Sequence, residues 1–171
     1  MAKRILNMTA EEMTHATKSE LIEAIAGSEG RVLASETIGI TIPLLTDVTN
    51  AEFAASMGAD LILLNMFDVQ EPKIMALPEV EKEETVREVK RLTGRMVGIN
   101  LEPVEESYAS DNKETLWEMS AGRYATVENA IQAQKMGVDL IVLTGNPGNG
   151  VSNPAIISSL KAISEAVGAV S

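Results

Sequence analysis

GVDLIVLTGNPGNGVSNP, residues 137–154, reads as a buried strand, a glycine-rich loop and the start of a helix, in that order. Asp139–Leu143 is a short, mostly apolar run bounded by turn residues, the pattern of a strand covered on both faces. Gly145, Gly148 and Gly150 let the backbone bend, and Asn153-Pro154 has the form of a helix N-cap followed by proline at the first helical position. Such a loop turns free backbone N–H groups toward whatever lies above the strand end, which makes a seat for a carboxylate or phosphate.

The same pattern occurs earlier in the chain. AASMGADLILL, residues 54–64, matches AQKMGVDLIVL, residues 133–143: helix end, glycine turn, aspartate and apolar strand coincide at one fixed offset. Repeated (βα) pairs of a barrel produce such a match. Working outward, the chain reads as a helical prefix over residues 1–30, then strand and helix in alternation. Thr9–Glu12, Thr17–Glu20 and Thr49–Glu52 have capping-box spacing. Helices are expected near residues 10–16, 18–26, 50–58, 84–92, 126–137 and 154–167, and strands at residues 31–36, 60–64, 95–100 and 139–143. Ile22 and Ile25 are read as the apolar face of the second helix. A short helix is placed around Trp117, and the apolar piece Ile38–Leu45 has no assigned element.

Alternation of this kind implies a parallel sheet with right-handed crossovers. The expected fold is therefore α/β, with parallel (βα) units of TIM-barrel type, about four of eight, over residues 31–171. An open flavodoxin-like parallel sheet is the alternative. Eight units need about 250 residues against 171 here. The readings are the front half of a longer barrel, two copies that complete one another, or an open sheet. Gly168–Ser171 reads as the start of a fifth strand.

Composition narrows the function classes. With 25 acidic and 14 basic residues the net charge is −11, and no Lys/Arg cluster is present to neutralise phosphates, so nucleic acid is not an expected partner. There is no cysteine, which removes disulfides, thiolate nucleophiles and Cys-based metal sites. No signal peptide or spanning stretch is read, so the expected location is cytoplasmic. The single histidine, His15, lies in the prefix away from any strand end, which argues against Ser-His-Asp chemistry and multi-histidine zinc sites. Lys73, Lys82 and Lys90 fall on connections or helices, unsuited to a Schiff base at strand ends. Met57, Met66, Met96 and Met136 are read as core filler.

SEGRVLASE (28–36), TDVTNAEFAASMGADLILLNMFDV (46–69), GINLEP (98–103) and LTGNPGNGVSNP (143–154) together resemble a poorly characterised bacterial TIM-barrel family. Its members are often labelled haloacid dehalogenase-like hydrolase or phosphoenolpyruvate mutase-like. More distantly, the chain is similar to the phosphate-binding TIM barrels. The resemblance covers the first half of the barrel. It implies a barrel fold and a carboxylate-rich site; the Asp-x-Asp nucleophile of the dehalogenase label is missing from this sequence.

Parallel barrels place their functional groups at the carboxyl ends of strands. Those ends supply Glu36, Asn65 with Asp68, Asn100 with Glu102, and Thr144 with Asn146, with Asp47 in the loop after the first strand. Glu36, Asp68 and Glu102 are the candidate acid–base groups, or oxygen ligands for Mg²⁺. Gly145, Asn146, Gly148, Asn149 and Gly150 are the candidate anion loop, and Asp47, Asn65, Asn100 and Thr144 are further binding candidates. The expected function is lyase, isomerase or hydrolase chemistry on a small anionic metabolite, by a homo-oligomer or with a missing C-terminal half. The alternative is a non-catalytic half-barrel scaffold or self-assembly module.

Overall fold

A computed structural model of the chain describes residues 3–104, 119–145 and 150–168. The short helix expected around Trp117 and the anion-loop residues Asn146, Gly148 and Asn149 lie outside the described residues, as does most of the expected fifth strand. The elements are α1 (Ala10–His15), α2 (Lys18–Gly27), β1 (Ala34–Ile38), α3 (Asn50–Ser56), β2 (Leu61–Asn65), α4 (Thr85–Thr93), β3 (Met96–Leu101), α5 (Val127–Met136), β4 (Leu140–Leu143) and α6 (Asn153–Ala166). Thr9, Thr17 and Thr49 make reciprocal capping boxes with Glu12, Glu20 and Glu52, so the prefix helices and α3 begin where their spacing demands.

The four strands form one all-parallel sheet in the order β1-β2-β3-β4. Sequence neighbours are therefore neighbours in space, without the reversal that gives a flavodoxin-like sheet its 2-1-3 order. The flavodoxin order is thus not observed, and the sheet is consistent with a half barrel or an open parallel sheet. Successive right-handed crossovers without reversal put every helix after β1 on one face. There Ile62, Leu64, Val97, Ile99, Leu101 and Ile141 pack with Ala51 of α3, Val86 and Val89 of α4, Ala130 and Ala133 of α5, and Ile163 of α6.

The opposite face divides by height. At the amino ends of the strands, Leu61, Leu63, Met96 and Leu140 pack against the prefix through Ile5, Met13, Leu21 and Ala24. Toward the carboxyl ends it becomes polar, with Asn65, Asn100 and Thr144 half-buried. Gly98 lies between these zones, where a Cβ would meet Leu140 O at 3.1 Å and both Leu140 Cβ and Leu63 Cδ1 at 3.2 Å. Glycine is needed there because the neighbouring strands' side chains close over the position.

The internal repeat has a structural purpose. Gly58 and Gly137 both turn through positive φ, at 100° and 95°, and the aspartate two residues later clamps the preceding strand. Asp60 N donates to Leu33 O at 2.8 Å while Leu33 N donates to Asp60 Oδ2 at 2.9 Å. Asp139 N likewise donates to Val97 O at 2.9 Å, and Val97 N to Asp139 Oδ2 at 2.9 Å. Asp139 also forms an ion pair with Lys90 of α4 at 2.7 Å, with about a tenth of each side chain exposed. Burial pushes the Asp139 carboxyl above the usual range, against the pull of Lys90 and the Val97 N–H.

Several expectations are corrected. β1 starts three residues later than expected, at Ala34, because Leu33 is already engaged by Asp60 at the sheet margin. Ser152, not Asn153, caps α6, its side chain accepting from Ala155 N at 3.3 Å, and this leaves Pro154 at the second helical position. Ile22 is exposed because α2 turns Leu21 and Ala24 inward. Met57 is 70% exposed, while Met96 and Met136 are core. The unassigned apolar piece contributes only Ile38 to β1; Ile40, Ile42, Leu44 and Leu45 are exposed. No helix of the described residues is long and apolar enough to cross a membrane.

Asp139→Ala leaves Lys90 buried without its partner carboxylate and frees the Val97 N–H. Urea unfolding is expected to show a loss of about 3–5 kcal/mol. Asp60→Ala removes only a margin hydrogen bond and is expected to cost about 1 kcal/mol.

Candidate functional site

Asn100 of β3 holds the middle of the functional positions: it meets Thr144, just past its neighbour β4, on one side and, across β2, Glu36 of β1 on the other. Strand alternation puts Glu36, Asn100 and Thr144 on the face away from the helices. Asn100 Nδ2 donates to Thr144 Oγ1 at 2.9 Å and, more weakly, to Glu36 Oε1 at 3.4 Å. Three sequence-chosen residues from three strands thus form one cluster. Glu36 is exposed and lies within β1 rather than at its end. Asn100 Oδ1 is buried and has no hydrogen-bond partner, so the amide carries an acceptor whose desolvation is not offset within the protein.

Asn65 shares this face, but its Oδ1 accepts from Met66 N at 2.7 Å. That bond helps hold Met66 at a φ of 57°, where the chain leaves β2. Asn65 is therefore committed to a turn. Asp47 is exposed in the loop between β1 and α3. Gly145 is exposed just past β4, and Gly150 has a φ of 68°.

Asp68 and Glu102 belong to a second polar group, built around a residue the sequence reading did not select. Arg123 Nη2 donates to Glu102 Oε1 at 2.6 Å, with both side chains largely buried. The backbone locks the pair in place: Glu102 N donates to Arg123 O and Ala125 N to Glu102 O, each at 2.9 Å. Asn129 secures the turn beneath, its Nδ2 donating to the Ala121 and Tyr124 carbonyls. Asp68 Oδ1 accepts from Gln70 N at 2.7 Å and Glu71 N at 3.0 Å. Burial alone would raise the Asp68 carboxyl. The Ser120 hydroxyl, the Glu71 and Gln70 N–H groups and the nearby Arg123 charge outweigh it and hold the group below the usual range. Gly122 fits against this carboxylate so closely that a Cβ would overlap Asp68 Oδ1.

Glu36 thus hydrogen-bonds within one polar group, while Glu102 pairs with Arg123 in the other, beside Asp68. Among the described residues no group of three His, Cys, Asp or Glu side chains could hold a metal ion. Asp68 accepts two backbone N–H bonds and Glu102 faces the Arg123 guanidinium, which favours the charged form of both carboxylates. Nothing in the sequence pairs Arg123 with Glu102 across 21 positions; the only signal is an isolated arginine just before the Thr126 cap.

Fold and site define a parallel β/α-repeat protein with a polar cluster on the sheet face away from the helices. Residues 6–170 match the family described as Domain of unknown function (DUF7916), and the chain belongs to that family. No curated protein matches it.

The lowered Asp68 pKa gives a signed expectation. A carboxyl whose folded pKa is depressed contributes stability above its unfolded value of about 3.9 and loses it as pH falls through the folded value. The stability difference between the wild type and Asp68→Asn, from denaturant unfolding between pH 2 and 7, is expected to be full near neutrality. It should shrink steadily below about pH 4.

Proposed function

We propose that this is a TIM-barrel-type enzyme, or half of one, that binds a small anionic metabolite, a carboxylate or phosphate, on the face carrying Glu36, Asn100 and Thr144. The observation that carries the reading is the Asn100 bridge between Glu36 and Thr144, with Asn100 and Thr144 at the carboxyl ends of β3 and β4, where parallel barrels do their chemistry. Glu36 is the general acid or base: it is exposed to an incoming ligand and oriented by the Asn100 amide. Thr144 and Asn100 position the ligand. The unpaired Asn100 Oδ1 favours a ligand that carries a hydroxyl donor beside its anionic group. Residues 145–150, which follow β4 directly, supply the anion seat through backbone N–H groups.

On this reading the reaction is a proton transfer at a carbon or oxygen held near Glu36, as lyase, isomerase or hydrolase chemistry requires. Asp68 and Glu102 act at one remove, by fixing the turn around Arg123. A Mg²⁺ ion held jointly by Glu36, Asp68 and Glu102 does not suit this donor set, because Glu102 is already paired with Arg123.

A second reading, a non-catalytic half-barrel used for assembly, is favoured by a different observation. Large apolar side chains are exposed beside both outer strands: Leu33 and Met57 by β1, Ile157 and Leu160 on α6.

Titration of the wild type with inorganic phosphate, phosphoenolpyruvate and small hydroxy acids, followed by amide chemical shifts, separates the two. The enzyme reading expects saturable shifts centred on residues 36, 100 and 144. Asn100→Ala should weaken binding about tenfold or more, while Glu36→Gln should retain binding but abolish turnover. Shifts that never saturate, or that survive Asn100→Ala unchanged, would leave the assembly reading.

A further inference from the structure

A second repeat underlies the first. GRVLASE (30–36) and GRMVGIN (94–100) align residue for residue, with Gly30 and Gly94 both at positive φ and Arg31 matching Arg95. Leu33 and Val97 are matched as well, and each is the residue that the following strand's aspartate clamps. So β1 corresponds to β3 as β2 corresponds to β4.

This correspondence measures the stagger of the sheet. Partners across the sheet run from Leu33 to Asp60 to Arg95, two residues short of Val97, the match of Leu33. They run from Asp60 to Arg95 to Gly137, again two residues short of Asp139, the match of Asp60. A stagger of two residues for every two strands accumulates to about eight over eight strands, the shear of a closed (β/α)₈ barrel.

The inner junction between β2 and β3 is then a template for the strand that belongs beside β4, and its match is β1. Arg95 Nε donates to the Ala59 carbonyl across that junction at 2.6 Å. The corresponding groups are Arg31 and the Val138 carbonyl, at opposite edges of the sheet. Arg31 here donates to Ser28 O and pairs with Glu29 in the open. Val97 is fully buried while its match Leu33 is 56% exposed. Leu33, Phe53 and Met57 line a groove of about 510 Å³ along β1 and α3, and α6 exposes Ile157 and Leu160 on the far side.

We propose that a second copy of this chain closes the sheet into an eight-stranded barrel, β4 of each copy pairing with β1 of the other. The register sets Leu140 beside Val32, Ile141 beside Leu33, Val142 beside Ala34 and Leu143 beside Ser35, and Arg31 of one copy donates to the Val138 carbonyl of the other. α6 then covers the groove beside α3 of the second copy, burying Ile157 and Leu160 against Phe53 and Met57. Each pairing is heterologous, and a two-fold axis closes the pair. The closure rests on the barrel-type reading above and completes its site, since two sets of Glu36, Asn100 and Thr144 then line one interior.

The protein has no cysteine, so single-thiol variants test the register directly. Ala34→Cys mixed with Val142→Cys under oxidising conditions is expected to give a covalent dimer. Ala34→Cys mixed with Leu140→Cys or Thr144→Cys, each displaced by one pleat, should not, because the paired Cα atoms fall outside the range of about 4.4–6.8 Å that a disulfide spans. In sedimentation, Arg31→Ala should raise the dimer dissociation constant about tenfold or more. A strictly monomeric wild type with no cross-link in any mixture would overturn the proposal and leave the edges to another segment or partner. Cross-linking at a displaced position would overturn the register. Ligand binding plays no part in either readout, so failure of the enzyme reading would leave this result standing.

Discussion

A parallel strand has no hairpin to set its register, and in this protein an aspartate at the strand's amino end does that work. Asp60 and Asp139 each exchange two hydrogen bonds with one residue of the strand before them. The side-chain carboxylate accepts an N–H at the margin, where the ladder would otherwise fray. A slip by one residue would break both bonds and carry every core side chain of the strand to the wrong face. At Asp139 the device also reaches sideways to Lys90, tying α4 to the start of β4. The alternation of apolar and polar faces, and so the place of Asn100 beside Glu36 and Thr144, depends on that register.

Much of the fold was legible because its signals are local. Capping boxes mark the starts of α1, α2 and α3 to the residue, and the glycines at 94 and 137 mark the ends of α4 and α5. Strand–helix alternation gave the parallel sheet. The order of strands needed the coordinates, since alternation alone fits both a sequential and a reversed sheet. β1 was misplaced because its margin is decided by Asp60, which lies 27 positions away. Ile22 and Met57 were misread because hydrophobicity does not reveal which side of a helix meets a partner. The match of Gly30-Arg31 with Gly94-Arg95 was present in the sequence, though short and flanked by dissimilar residues.

The candidate site was legible in part. Strand-end logic selected Glu36, Asn100 and Thr144, which do meet. It also selected Asp68 and Glu102, which the fold assigns to Arg123 instead. The distinction turns on a guanidinium delivered by a separate turn, and pairing of that kind has no local signature. The acidic side chains were correctly seen as belonging near strand ends, but their partners decide what they do. An exposed carboxylate beside an amide can exchange protons with a ligand. One saturated by N–H donors, or facing arginine in a buried pair, serves as a fixed anchor.

The prefix gives the sheet a floor. Ile5, Met13, Leu21 and Ala24 seal the amino-end half of the face that carries the polar cluster, while the carboxyl-end half stays open to solvent. Among the described residues, the polar cluster is therefore backed on its amino-end side by a packed apolar layer. Whatever moves that floor moves Leu63 and Leu140 with it, and so the base on which Asn100 stands.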